Sequence, residues 1–210
     1  AGTFTDALGN DNKLSSQATI AVDSTPPTID ITSNVANLIT GQTANINFTL
    51  SENSTDFTAS DISVTGGTLG TLSGSNDTYN ATFTPFPSFS GAATISVAQG
   101  EFNDAQGNSN TEDTLTLTVN TQRPSITIVV DDTILGDAET ANVTFTLSAN
   151  SSDFNSSDVV AVGGTLSGFS GSGSNYTAVF TPTANSTAAG RINVAANTFT
   201  DANGNDNLEG

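Results

Sequence analysis

Apolar and polar residues alternate one by one in short runs along the whole chain. Clear examples are Ile29/Ile31, Ile46/Phe48/Leu50, Tyr79/Ala81/Phe83, Ile95/Val97 and Leu115/Leu117/Val119. Successive side chains of a strand point to opposite faces of the sheet, so a period of two predicts strands with one face in a core. Clusters of Gly, Asn, Asp and Ser separate the runs as turns do, and no long segment carries a helical stripe. The pattern therefore predicts an all-β protein.

The chain also repeats itself. A shift of about 97 residues aligns residues 27–113 with 124–210 without a gap, and roughly 40 of the 87 aligned positions are identical. A nine-residue pattern occurs three times, as GTFTDALGN from Gly2, GEFNDAQGN from Gly100 and NTFTDANGN from Asn197. The sequence therefore contains two successive copies of one structural unit, preceded by the tail of another.

Each unit is predicted to be an antiparallel β-sandwich. Two short strands near 61–65 and 68–72 bring the total to about seven strands in about 97 residues, the number typical of an immunoglobulin-like fold with strands A to G. Phe48, Leu50, Phe83, Ile95 and Val97 are expected to face inward, because a slip of one residue would turn all of them outward. The domain prediction assigns 1–23 to the tail of a preceding repeat (its FG loop and G strand). Residues 24–120 form a complete repeat, and 121–210 form a second repeat that lacks its final strand.

Charge and missing residue types exclude several classes of function. Asp and Glu number 21 against three Lys and Arg, a net charge of −18. Such a surface repels nucleic acid and anionic membrane, and no apolar run approaches the length of a membrane span. The chain has neither Cys nor His, so thiolate chemistry and the usual general base are absent. We expect a protein that is not an enzyme, binds no nucleic acid and does not insert into a membrane.

Several motifs together suggest a family. VDSTPPTIDITS from Val22, NFTLSE from Asn47, DFTASDISVTGGTL from Asp56, TFTP from Thr82 and FNDAQGN from Phe102 resemble the bacterial Ig-like repeats of giant surface adhesins of the RTX and biofilm-associated type. The resemblance covers essentially the whole chain. It implies an extracellular extender region that holds a binding tip away from the cell, often with calcium at the domain junctions.

The topology also predicts where calcium would bind. In this type of sandwich the incoming chain, the BC loop and the FG loop lie at one end, so oxygen-bearing residues from all three can converge. The candidate ligands are Asp23, Glu52, Asp104, Asn108 and Asn110. The alternative is that Asp and Asn only form Asx-turns in exposed loops.

The second repeat differs at these positions. Glu52 is replaced by Ala149, Asp23 by Asn120 and Pro26 by Arg123. The candidate ligands that remain in the second repeat are Asp201, Asn205 and Asp206, which predict a weaker metal site. Arg123 is either a substitute for the metal at the junction or a solvated linker residue.

Two functions follow from the repeat, both extracellular and non-catalytic. The favoured one is an extender segment that contacts neighbouring repeats of the same chain and is stiffened by calcium. The alternative is a pilus-like filament subunit that assembles head to tail. Its N-terminal strand, equivalent to 114–119, would complete the second repeat of a neighbouring copy. The donor residues would be Gln17, Ala18, Thr19, Ile20, Ala21 and Val22.

Overall fold

The two stretches that align in sequence fold around separate cores in the computed structural model, which describes residues 2–13 and 16–210. Strand is the dominant structure, and the short helical turns Ala59–Asp61 and Ser156–Asp158 occupy equivalent places in the two repeats. No helix in the described parts of the chain is long and apolar enough to cross a membrane.

The first repeat is a sandwich of two four-stranded sheets, with strand orders β1-β3-β6-β5 and β2-β8-β7-β4. Its strands are β1 (Ile29–Ser33), β2 (Asn37–Ile39), β3 (Ala44–Ser54), β4 (Ile62–Val64), β5 (Gly67–Leu69), β6 (Ser73–Pro85), β7 (Ser90–Val97) and β8 (Asp113–Asn120). The all-β sandwich prediction is confirmed.

The repeat has eight strands rather than about seven, because its first strand divides between the sheets. β1 pairs antiparallel with β3, whereas β2 crosses to the other sheet and pairs parallel with β8. The alternation breaks at Ser33, and the side chain of Asn34 accepts a hydrogen bond from the backbone N–H of Asn45 at 2.7 Å. The crossing lets Leu38 enter the core from the second sheet, where only 1% of it is exposed.

The predicted inward-facing residues are all buried. Phe48, Phe83 and Ile95 are fully enclosed, and Leu50 and Val97 are nearly so. β3 pairs with β1 on one side and β6 on the other, so its apolar face lies at the centre of its sheet. Burial of an apolar side chain of this size stabilises the fold by about 1.5–3 kcal/mol, which makes this register far more stable than one shifted by a residue.

The second repeat reproduces most of this arrangement with fewer strands. Its sheets have the orders β12-β10-β9 and β11-β13. The strands are β9 (Ile126–Val130), β10 (Ala141–Ser151), β11 (Val159–Val162), β12 (Gly164–Pro182) and β13 (Arg191–Val194). β12 spans the positions of both β5 and β6. The residues that align with β2 form no strand, since the described part of this repeat has no counterpart of β8 for them to pair with.

The segment before the first repeat has one ordered feature. Residues 2–13 form a loop closed by a bridge between Thr5 and Asp11, equivalent to the bridges Asn103–Ser109 and Thr200–Asp206 in the two repeats. Gln17–Val22, predicted as a strand of a preceding repeat, are exposed and form no strand in the single chain. A strand needs a neighbour to hydrogen-bond with, and among the residues that the structure describes this segment has none.

Candidate metal centre

The FG loop of the first repeat, between β7 and β8, is built around Asp104. One carboxylate oxygen of Asp104 accepts hydrogen bonds from the backbone N–H groups of Gln106 and Asn108, at 2.9 and 2.8 Å. The other accepts one from the side-chain amide of Asn108 at 2.7 Å. Gly107 has a φ of +87°, a conformation that a residue with a Cβ rarely adopts. The loop therefore holds Asp104 in one orientation, with only 8% of it exposed.

Two further carboxylates meet Asp104 at the same end of the sandwich. Asp23 comes from the linker before β1, and Glu52 lies near the end of β3. Carboxylate oxygens of the three residues lie within 4.8 Å of one another. This convergence of linker, BC and FG segments is what the topology predicted, and three like charges so close together repel unless a cation neutralises them.

The electrostatics of the cluster set two of these carboxylates apart. Partial burial raises the pKa of Glu52, and the negative charges of Asp104 and Asp23 raise it further. Burial acts in the same direction on Asp104, but the hydrogen bonds from Asn108, Gln106 and Gly107 outweigh it and lower the pKa of that carboxyl. Asp104 is therefore the fixed negative charge of the cluster, whereas burial and the neighbouring negative charges both disfavour the ionised form of Glu52.

The two predicted asparagine ligands differ in position. The side-chain amide of Asn108 donates to the backbone carbonyl of Asp23 at 3.3 Å, so it lies beside the carboxylates and ties the loop to the linker. Asn110 is fully buried and all its hydrogen bonds are internal. Its oxygen accepts from the backbone N–H of Phe102, and its nitrogen donates to the carbonyls of Ala98 and Thr111. Asn110 is thus a loop brace that lies inside the loop, and its role as a ligand stays a prediction without support from these contacts.

The corresponding loop of the second repeat gathers no such cluster. Across residues 2–13 and 16–210, the only group of three or more carboxylates that meets at one point is that of Asp23, Glu52 and Asp104. Asp201 accepts the backbone N–H groups of Asn203 and Asn205, while the oxygen of Asn205 accepts the N–H of Thr40 from the first repeat at 2.8 Å. Asp201 and Asn205 thus make loop and junction contacts, and the weaker metal site at Asp201, Asn205 and Asp206 stays a prediction.

Arg123 binds this loop directly. Its guanidinium donates to the carbonyls of Asp206 and Asn207, at 2.9 and 2.6 Å, and to the side-chain oxygen of Asn197. A planar group with several fixed donors suits such a set of oxygens. The structure thus favours the first interpretation of Arg123, in which it joins the linker to the loop at a junction where Ala149 and Asn120 replace two of the three acidic residues.

A family model described as the bacterial Ig-like domain matches residues 23–121 and again residues 120–210. The chain belongs to this family. No curated protein sequence matches the chain significantly.

Two solved structures of bacterial adhesins are similar to the chain. The Escherichia coli adhesin FdeC is 18% identical, with a TM-score of 0.43 over 90% of this chain and 63% of its own. The Yersinia pseudotuberculosis adhesin InvE is 15% identical, with a TM-score of 0.36 over 86% of this chain and 58% of its own. The chain thus spans less than two thirds of the length of either structure.

Both bacterial Ig-like repeats share a second acidic brace that the sequence analysis missed. Asp56 accepts from the hydroxyl of Ser54 at 2.7 Å and from the backbone N–H of Asn103, and so joins the BC loop to the FG loop. Asp153 makes the same contacts with Ser151 and Thr200. The signal was present, since Ser-x-Asp-Phe occurs at the same place in both repeats.

Proposed function

We propose that the chain is a non-catalytic extender segment of a large extracellular adhesin, and that calcium stiffens the junction before its first repeat. The observation that carries the proposal is the tandem arrangement of two bacterial Ig-like domains with direct contacts at their junction. Thr40 from one repeat and Arg123 from the linker both bind the FG loop of the next repeat. Such contacts restrict bending and turn a series of domains into a spacer.

The chemistry of the carboxylates supports a structural role. Asp6, Asp104 and Asp201 each accept backbone N–H groups of their own loops, and Asp56 and Asp153 join one loop to another. These hydrogen bonds lower the pKa of each carboxyl, against the effect of burial where it is present. Shifted pKa values here have a structural cause, since each of these acids is occupied in bracing a loop.

The cluster of Asp23, Glu52 and Asp104 suits calcium. Calcium takes six to eight oxygen ligands from carboxylates, amides and carbonyls, and the backbone carbonyl of Asp23 and the amide of Asn108 lie beside the three acids. A bound cation would remove the repulsion that raises the pKa of Glu52. It would also cross-link the linker to two loops and so fix the angle at which the preceding segment enters.

Calcium titration by calorimetry tests the site. We expect binding by the 210-residue chain, loss of at least about tenfold in affinity in Glu52→Gln and Asp23→Asn, and no change in Asp201→Ala. Asp201 is the matched control because it occupies the same loop position as Asp104, while Asn120 and Ala149 replace the other two acids. Absence of binding at millimolar calcium, or binding that survives in Glu52→Gln, would contradict the assignment.

The extender role is tested separately on the natural protein. We expect antibodies raised against the chain to detect, at the cell surface, a polypeptide many times larger than 21.2 kDa. Small-angle scattering of the purified chain should show an elongated particle. A natural product of about the size of this chain, or an intracellular location, would refute the extender.

A further inference from the structure

A cavity of about 270 Å³ lies at the junction of the two repeats. Residues 40–43 in the turn after β2 and residues 84–88 in the loop between β6 and β7 line it from the first repeat. Arg123 lines it from the linker and Leu208 from the second repeat. The segment after the FG loop of a repeat leads away from this end, as β8 does in the first repeat, so the cavity belongs to the junction itself.

Hydrogen bonds hold the walls of this junction cavity in place. The buried hydroxyl of Thr121 donates to the carbonyl of Phe86 at 2.7 Å and accepts the backbone N–H of Phe89 at 2.9 Å, which fixes the loop between β6 and β7. The hydroxyl of Thr40 donates to the carbonyl of Thr121 at 3.0 Å and ties the turn after β2 to the same residue. The cavity is therefore preformed, as most ligand sites are.

Three lining residues differ in type from their counterparts in the other repeat or at the other junction. Phe86 aligns with Thr183, Arg123 with Pro26 and Leu208 with Thr111. The backbone N–H groups of Phe86 and Thr183 donate to the carbonyls of equivalent glycines, so the two loops follow the same path. The fold therefore does not require an aromatic residue here, yet Phe86 is present and 47% exposed. An exposed aromatic ring on a fixed loop is a contact surface for a ligand.

The charge of the junction cavity is opposite to that of the chain. Among the described residues that line it, Arg123 is the one charged group, although the chain has 21 acidic residues. The Nε and Nη2 atoms of Arg123 hold the FG loop of the second repeat, whereas Nη1 makes no hydrogen bond with any residue that the structure describes. A guanidinium with free N–H groups binds a carboxylate through charge-assisted hydrogen bonds.

The rest of the lining has both apolar and polar groups. Pro85, Phe86 and Pro87 provide apolar surface, while threonine and serine hydroxyls and the amide of Gln42 provide hydrogen-bonding groups. A sugar ring has the matching character, with C–H groups on its faces and hydroxyls around its rim. Pockets for drug-sized ligands enclose about 300–1,000 Å³, so this smaller cavity suits a single ring.

We propose that the junction cavity binds a carboxylate-bearing sugar residue of an acidic polysaccharide, with the carboxylate on Nη1 of Arg123 and the ring against Phe86. The net charge of −18 repels such a ligand at long range. At physiological ionic strength, however, charges more than about 8 Å away are largely screened, and no carboxylate lines the cavity. A segment with this site binds polysaccharide along its length, a function beyond that of a spacer.

NMR titration of the isotope-labelled 210-residue chain with glucuronate provides the first test. We expect shifts of the backbone amides of residues 40–43, Phe86 and Ser88, with a dissociation constant on the order of 1 mM for a ligand of this size. Phe86→Thr, which installs the residue of the second repeat, should weaken binding at least about tenfold. Thr183→Ala, at the equivalent position away from the cavity, should leave binding unchanged. No binding at ten times the expected dissociation constant, equal binding by Phe86→Thr, or equal weakening by Thr183→Ala would each overturn the proposal.

Two further ligands test the class of molecule on the unaltered chain, so the result does not depend on the stability of any variant. Glucose lacks the carboxylate, and cyclohexanecarboxylate keeps the carboxylate but lacks the hydroxyls. Each should bind at least about tenfold more weakly than glucuronate. Equal binding of glucose would overturn the role of Arg123, and equal binding of cyclohexanecarboxylate would overturn the assignment to a sugar.

Discussion

Removal of the Arg123 side chain should destabilise the second repeat and leave the first unchanged. The guanidinium makes three hydrogen bonds to the loop of residues 197–207, and its acceptor Asn207 is fully buried. A hydrogen bond from a charged donor contributes about 1.5–3 kcal/mol, but partial exposure of Arg123 lowers each of the three to about 0.7 kcal/mol. We therefore expect Arg123→Ala to lower the unfolding free energy of this repeat by about 2 kcal/mol.

Calorimetry can resolve this effect because the two repeats have separate cores. For a domain of this size the expected loss corresponds to a decrease of about 10 °C in the melting temperature of one transition, with the other unchanged. Arg123→Lys keeps the charge but cannot span two carbonyls, so we expect roughly half the loss. Arg191→Ala, which removes an exposed cation from β13, is the control. The reasoning would be refuted if the melting temperatures of both transitions decreased, or if neither did. It would also be refuted if Arg191→Ala lowered the same melting temperature by an equal amount.

Three further outcomes follow from the carboxylates. Asp56→Ala and Asp153→Ala should each destabilise their own repeat by about 1–2 kcal/mol in urea unfolding, because each leaves a backbone N–H of the FG loop unpaired; a loss in the other repeat would contradict this. The pKa values of Asp56, Asp153 and Asp201 are lowered in the folded state. The melting temperature should therefore be constant above the ordinary pKa of 3.8 and decrease as the pH falls through the pKa values of the folded state. A melting temperature that stays constant down to about pH 2 would contradict this. The raised pKa of Glu52 has the opposite effect on stability. The folded state disfavours the ionised carboxylate, so Glu52 destabilises the first repeat at every pH at which it is ionised. Glu52→Gln should therefore raise the melting temperature at neutral pH without divalent cations, and a decrease would show that the cost of ionising Glu52 in this partly buried, acidic cluster is not the dominant effect.

The sequence by itself determined the fold class, the repeat and the core. Alternation with a period of two identifies the buried face of each long strand, because the register that buries Phe48 and Phe83 is the only one that removes this apolar surface from water. It also indicated which segments meet, since the connectivity of such a sandwich places the linker, BC loop and FG loop at one end. Asp23, Glu52 and Asp104 could be grouped for that reason, although they are far apart in the chain.

Only the tertiary structure decided what the short polar segments do. β2 has three residues and one buried side chain, too little for a periodic signal, and it exists because β8 offers it an edge. Asn110 and Asn108 belong to one loop and look equivalent in sequence, yet the first braces the interior of the loop and the second lies beside the carboxylates. Asp56 and Arg123 act on partners 47 and more than 70 residues away. Hydrogen bonds of a polar side chain depend on which backbone groups the fold leaves unpaired nearby, and residue type and spacing do not contain that information.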